Sequence, residues 1–107
     1  FLKAGIPAFV DKPLACSIAD ATRLIETAQR AKVGLTSFST LRYAKSTVSF
    51  INDLKEKAGR LASGTSSGPA QLDSEHCGIF FYGIHEVELM NAVWGYGCES
   101  VTATQHE

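Results

Sequence analysis

Lys12, Tyr82, His85 and Arg42 are the side chains whose types and settings suit them for chemistry in this 107-residue chain. Lys12 stands in Ala8-Phe9-Val10-Asp11-Lys12-Pro13, an apolar run that ends in an acid, a base and a proline. A lysine desolvated at the edge of a sheet serves as a general acid or base. Pro13 restrains the residue before it and permits a cis bond. His85 follows Gly83, with Tyr82 one turn earlier and Glu88 almost one turn later on the same helical side. Imidazole is the usual group for moving protons near neutral pH, and a tyrosine hydroxyl can hold it or bind a ligand. Arg42, just past a second apolar run, can clamp an anionic or polyhydroxylated ligand. Each residue also has a plainer role: a solvated loop lysine, a core histidine satisfied by a neighbour, a surface arginine. For Lys12 and His85 taken alone, the plainer role is the commoner one.

The elements that must position these groups follow from periodicity and punctuation. Residues 1–5 read as the last turn of a helix stopped by Gly5, and residues 7–10 as a first strand. Ser17, with Asp20 three positions on, makes a capping box for a helix over 17–32. Its stripe is Ile18, Ala21, Leu24, Ile25, Ala28 and Ala31, and Gly34 marks its exit. Residues 33–38 read as a second strand. A strand, a helix and a strand in this order form a right-handed parallel βαβ unit. Both carboxyl ends then share one edge, with Asp11-Lys12 on one strand and Ser39-Thr40-Leu41-Arg42 on the other. In an open α/β sheet that edge is where ligands bind.

A second helix is predicted over 41–58, with Tyr43, Thr47, Phe50, Ile51, Leu54 and Ala58 on its inner face. A third strand over 60–65 leads into a polar, turn-rich loop long enough to be functional. A third helix spans 78–93, anchored by Ile79, Phe80, Leu89 and Val93, and a fourth strand spans 99–104. The expectation is one α/β domain of two consecutive βαβ units, mostly parallel, a partial Rossmann-like fold completed by oligomerisation.

Composition narrows the class. The formal net charge is -1, which gives no broad basic footprint for nucleic acid. No apolar run approaches a membrane span, and the first residues are not a secretory signal. The chain does not begin with methionine and is expected to be a processed or fragmentary product. Cys16, Cys77 and Cys98 are odd in number, and no two share a CxxC spacing, so reduced thiols in a cytoplasmic protein are expected. A zinc site from His76, Cys77 and His85 lacks a fourth ligand at a recognised spacing. Neither a nucleophile elbow, a P-loop nor an HExxH is present.

Taken in order, the segments Ala4-Gly5-Ile6-Pro7-Ala8-Phe9-Val10-Asp11-Lys12-Pro13-Leu14-Ala15, Ser37-Phe38-Ser39-Thr40-Leu41-Arg42-Tyr43 and Tyr82-Gly83-Ile84-His85-Glu86-Val87-Glu88 form a pattern. It resembles the Gfo/Idh/MocA oxidoreductases, relatives of glucose–fructose oxidoreductase and inositol dehydrogenase. The likeness is to the Glu/Asp-Lys-Pro segment, the strand that ends in an Arg-aromatic pair, and the Gly-x-His helix. Residues 1–40 resemble the end of a dinucleotide-binding domain, and residues 41–107 the start of a substrate domain.

The resemblance implies an NAD(P)-dependent dehydrogenase of sugars or polyols. It implies Lys12 as the group that handles the substrate hydroxyl proton and His85 as its partner, with Tyr82 beside them. Asp11, Lys12 and Pro13 would lie by the nicotinamide ribose, and Arg42 by the substrate. The family's acid four positions before the histidine is Phe81 here. No GxGxxG follows a first strand, and no acidic ribose ligand lies about twenty residues beyond. By this resemblance NAD or NADP is the cofactor, and the chain alone is expected to bind it poorly and to be inactive. The second expectation is a small stand-alone α/β module that folds by forming a homo-oligomer and binds a ligand or partner.

Overall fold

The first helix begins where Ser17 and Asp20 place it. In the computed structural model, which describes residues 1–105, α1 runs Ile18–Ala31. The Asp20 amide donates to Ser17 Oγ at 3.1 Å, and the Ser17 hydroxyl donates to the Asp20 carboxylate at 2.8 Å. One otherwise orphaned amide of the first turn is thereby satisfied. The exit differs from the sequence expectation. Lys32, not Gly34, takes the left-handed conformation, at φ 54°, and its amide closes the helix on the carbonyls of Ala28 and Gln29. A short 3-10 turn, Leu2–Ala4, precedes the first strand and ends at Gly5 with φ 75°. Among the described residues, Leu2 on that turn and Ala28 on α1 are the buried apolar side chains.

Strands β1 (Ala8–Asp11) and β2 (Leu35–Phe38) pair in parallel, with Ala8 opposite Leu35 and Asp11 opposite Phe38. With α1 between them they form the expected βαβ unit. One face of the pair carries Ala8, Val10, Leu35 and Ser37, all half-buried. On the other, Phe9 and Phe38 stack at 5.0 Å, and Phe38 meets the edge of Tyr43 at 4.8 Å.

A 3-10 turn, Thr40–Tyr43, leads from β2 into α2 (Lys45–Lys57). The last helix, α3, is Ile79–Trp94. Among the described residues the sheet has two strands, so the architecture is a small α/β unit of one βαβ with two further helices. The second βαβ unit does not form. Residues 60–65 and 99–104 are in no strand, because neither has an extended partner to hydrogen-bond with. Residues 60–68 lie instead along α3. Gly64 touches the Trp94 indole so closely that a Cβ would collide with it, and Ser66 donates to the Glu86 carboxylate.

The helices carry apolar faces that are not covered. Ile18 is 80% exposed and Phe50 57%. Tyr43, Ala58, Ile79 and Phe80, expected on inner faces, are exposed as well. The surface is 8437 Å², where a compact monomer of 11.5 kDa exposes about 5,800 Å². The radius of gyration is 16.1 Å, against about 13 Å for a compact domain of this length. The amphipathic patterns are therefore real, yet these residues supply each other with little to pack against.

Candidate functional site

Lys12 leaves the carboxyl end of β1 and reaches α3. Its Nζ donates to the Phe81 carbonyl at 2.7 Å, lies 3.8 Å from the Phe81 ring centroid and 5.5 Å from that of Tyr82. The ammonium is thus held by a carbonyl dipole and two aromatic faces rather than by a carboxylate. One of its three protons is spent on Phe81 O, which leaves two for a ligand. The Lys12–Pro13 peptide bond is cis. Asp11 is exposed beside it, and Pro13 is half-buried.

His85 lies one turn further along α3. The Tyr82 ring stands between the two, 6.5 Å from the imidazole and edge-on to Phe81 at 4.9 Å. On its other side His85 Nδ1 is 2.6 Å from Ser39 Oγ. Ser39 follows β2 directly and is fully buried. Sequence reading placed Ser39 on the correct sheet edge but gave it no role. Its one signal was position, a small hydroxyl residue at the carboxyl end of a strand, and nothing local connects it to a histidine 46 positions later.

Lys12, Tyr82 and His85 are thus gathered on the first half of α3 by the two strand ends. Arg42 is held apart from that cluster. Its guanidinium lies 3.5 Å from Glu88, close enough for an ion pair, and donates to the Tyr96 hydroxyl at 3.4 Å. The Tyr96 contact is the main influence that pushes Arg42 above its already high pKa, against the opposing effect of burial, and the Glu88 charge adds to it. Glu88 Oε2 is buried and accepts no hydrogen bond. The pair is held by charge rather than by a forked hydrogen bond.

The thiol expectation is overturned. Cys16 and Cys77 are joined by a disulfide across 61 positions, and Cys98 is free and exposed. A CxxC spacing was not required, because the β1–α1 connection and the start of α3 meet in space. The bridge ties the segment that carries Lys12 to the helix that carries Phe81, Tyr82 and His85.

The residues that would face a dinucleotide are Asp11, Lys12 and Pro13. The connection from Lys12 to Ser17 contains no glycine, so its backbone cannot wrap a pyrophosphate as a glycine-rich turn does. At the start of α1 the Asp20 amide is already taken by Ser17. This connection offers no phosphate cradle, and no step through NAD(P) is derived from it.

A separate apolar cavity of about 430 Å³ lies between α2 and the second half of α3, lined by Phe50, Ile51, Leu54, Leu61, Met90 and Trp94 among others. Among the described residues no helix is long and apolar enough to cross a membrane. No family model, curated protein or solved structure matches the chain.

Proposed function

We propose that this chain is a relative of an NAD(P)-dependent sugar or polyol dehydrogenase of the Gfo/Idh/MocA type, carrying its substrate corner and inactive by itself. The observation that supports the reading is the gathering of Lys12, Tyr82 and His85, from segments about 70 positions apart, onto one half of α3. A cationic donor, a phenol and an imidazole side by side suit the oxygens of a neutral polyhydroxylated ligand. Lys12 is the group assigned to the substrate hydroxyl, His85 its partner, and Arg42 a contact further out on the substrate. These residues hold no glycine-rich phosphate cradle, and that is the reason for expecting no turnover from them alone.

The test is a panel of sugars and sugar alcohols titrated into the full chain, with nicotinamide reduction followed in parallel. The expected result is weak binding that perturbs the resonances of Tyr82 and His85 and is lost in Lys12→Ala. NAD(P)H formation would refute the inactivity. A panel in which nothing perturbs those resonances would refute the substrate corner.

The uncovered surface, roughly 2,600 Å² beyond that of a compact monomer, favours a second reading. In it the chain is a stand-alone α/β module that folds as a homo-oligomer through the outer faces of α2 and α3, with residues 60–65 and 99–104 paired across the interface. Light scattering at micromolar concentration separates the two readings. A folded monomer defeats this one. The cytoplasmic setting belongs to the dehydrogenase reading and is in tension with the Cys16–Cys77 bond, since disulfides persist mainly in oxidising compartments.

A further inference from the structure

We infer that Ser39 is a positioning residue that fixes His85 as its Nε2–H tautomer, so that the imidazole meets its ligand as a hydrogen-bond donor to a carbonyl or hydroxyl oxygen. The inference starts from the proton on Ser39 Oγ. Ser39 is fully buried, so its hydroxyl proton has no access to bulk water and must find an acceptor inside the protein. Ser39 Oγ already accepts from the Leu41 amide at 3.3 Å. Among the described residues the acceptor within reach of its proton is His85 Nδ1, at 2.6 Å. The hydroxyl therefore donates to Nδ1, and the imidazole proton resides on Nε2.

The opposite tautomer places a proton on Nδ1. Ser39 Oγ would then accept from both His85 and Leu41, and its own proton would be stranded in the interior. That cost falls on any state in which Nε2 acts as a base. Lys12 contributes two further donor protons on the same half of α3. The corner is thus a donor pair matched to an oxygen with lone pairs to offer, as on a keto-sugar or a polyol. The ligand class rests on the dehydrogenase reading, whereas the tautomer does not.

The test is nitrogen NMR of the full chain with labelled histidine, about two pH units above the ordinary imidazole value. His85 is expected to show a pyrrole-type Nε2 and a pyridine-type Nδ1, and in Ser39→Ala an Nδ1–H population is expected to appear. A wild-type His85 with Nδ1 protonated overturns the inference. So does a wild type in which the three histidines give coincident averaged shifts, because the Ser39 contact then does not persist. A Ser39→Ala spectrum identical to wild type removes Ser39 from the role. Glucose and sorbitol added to the wild type are expected to move the Nε2 signal. If they do not while the tautomer is as stated, the ligand reading fails and the Ser39 assignment stands.

Discussion

Lys12 Nζ and the Phe81 carbonyl are hydrogen-bonded at 2.7 Å across 69 positions of sequence, with the ammonium set over the ring of the same phenylalanine. That single residue of α3 gives Lys12 both its acceptor and its aromatic face. It is a direct noncovalent link between the end of β1 and the helix that carries His85, beside the Cys16–Cys77 bond.

Removing the lysine is therefore expected to cost stability as well as any binding. A charge-assisted hydrogen bond contributes roughly 1.5–3 kcal/mol and an exposed cation–π contact about 0.5–1 kcal/mol. The site is half-buried, so Lys12→Met is expected to lose about 1–2 kcal/mol in urea unfolding. Phe81→Leu keeps the carbonyl and removes the ring, and is expected to leave most of that contribution in place. A Lys12→Met midpoint equal to wild type would show that the contact does not form in solution.

Much of the first half of the fold was legible because its signals are local. Ser17 and Asp20 announce the start of α1, short apolar runs and chain order give β1 and β2, and Gly5 terminates its turn through a left-handed conformation. The second half was legible only in part. The helical periods of α2 and α3 are present, yet residues 60–65, expected as a strand, have no strand to pair with, and Gly64 and Ser66 settle against α3 instead. Pairing and burial depend on neighbours in space, which composition does not report. The same holds at the site. Lys12 and His85 stood out by residue type, whereas Ser39 and the Cys16–Cys77 bond depend on approaches across 46 and 61 positions.

Gly64 gives a direct probe of how residues 60–68 lie on α3. A Cβ at Gly64 would overlap the Trp94 indole, and Trp94 is the single tryptophan. In Gly64→Ala the indole and the exposed segment must separate, which changes the surroundings of Trp94. Emission is expected to shift to longer wavelength, with a stability loss of about 1–3 kcal/mol from overpacking. Gly59→Ala is a weaker comparison, since it meets nothing in space and is strained only by its φ of 60°. Unchanged emission in Gly64→Ala would place the segment elsewhere.

Arg42 and Glu88 form an asymmetric pair. The Glu88 carboxylate holds a buried oxygen without a hydrogen bond, and the nearest positive charge is Arg42 at 3.5 Å. Removing Arg42 alone leaves that charge uncompensated in a poorly hydrated place. Arg42→Ala is expected to destabilise by about 2–3 kcal/mol, and adding Glu88→Gln is expected to restore at least half of the loss. Additive losses in the double variant would mean that the two charges do not interact. Tyr96→Phe tests the other contact, and a loss of only about 0.5–1 kcal/mol is expected, because this charge-assisted bond is long and exposed to solvent.

The Cys16–Cys77 bond closes a loop of 61 positions around α1, β2 and α2. In the chain-entropy model a crosslink of that length contributes about 4 kcal/mol, by restricting the unfolded chain. For a chain that buries so little apolar surface, this is a large share of what holds α3 to the β1 end. Dithiothreitol is expected to lower the urea midpoint sharply and to broaden the Tyr82 and His85 resonances, since the Lys12–Phe81 contact then stands without its tether. Cys16→Ser, Cys77→Ser and the double variant are expected to show the same loss, because either change breaks the one bond. Cys98→Ser is expected to change nothing, as its thiol is exposed and unlinked. Alkylation of the non-reduced, denatured chain followed by peptide mapping checks the premise directly. Labelling at Cys98 alone supports the bridge, whereas labelling at all three cysteines would mean that Cys16 and Cys77 are neighbours without a bond, as a reducing cytoplasm would keep them.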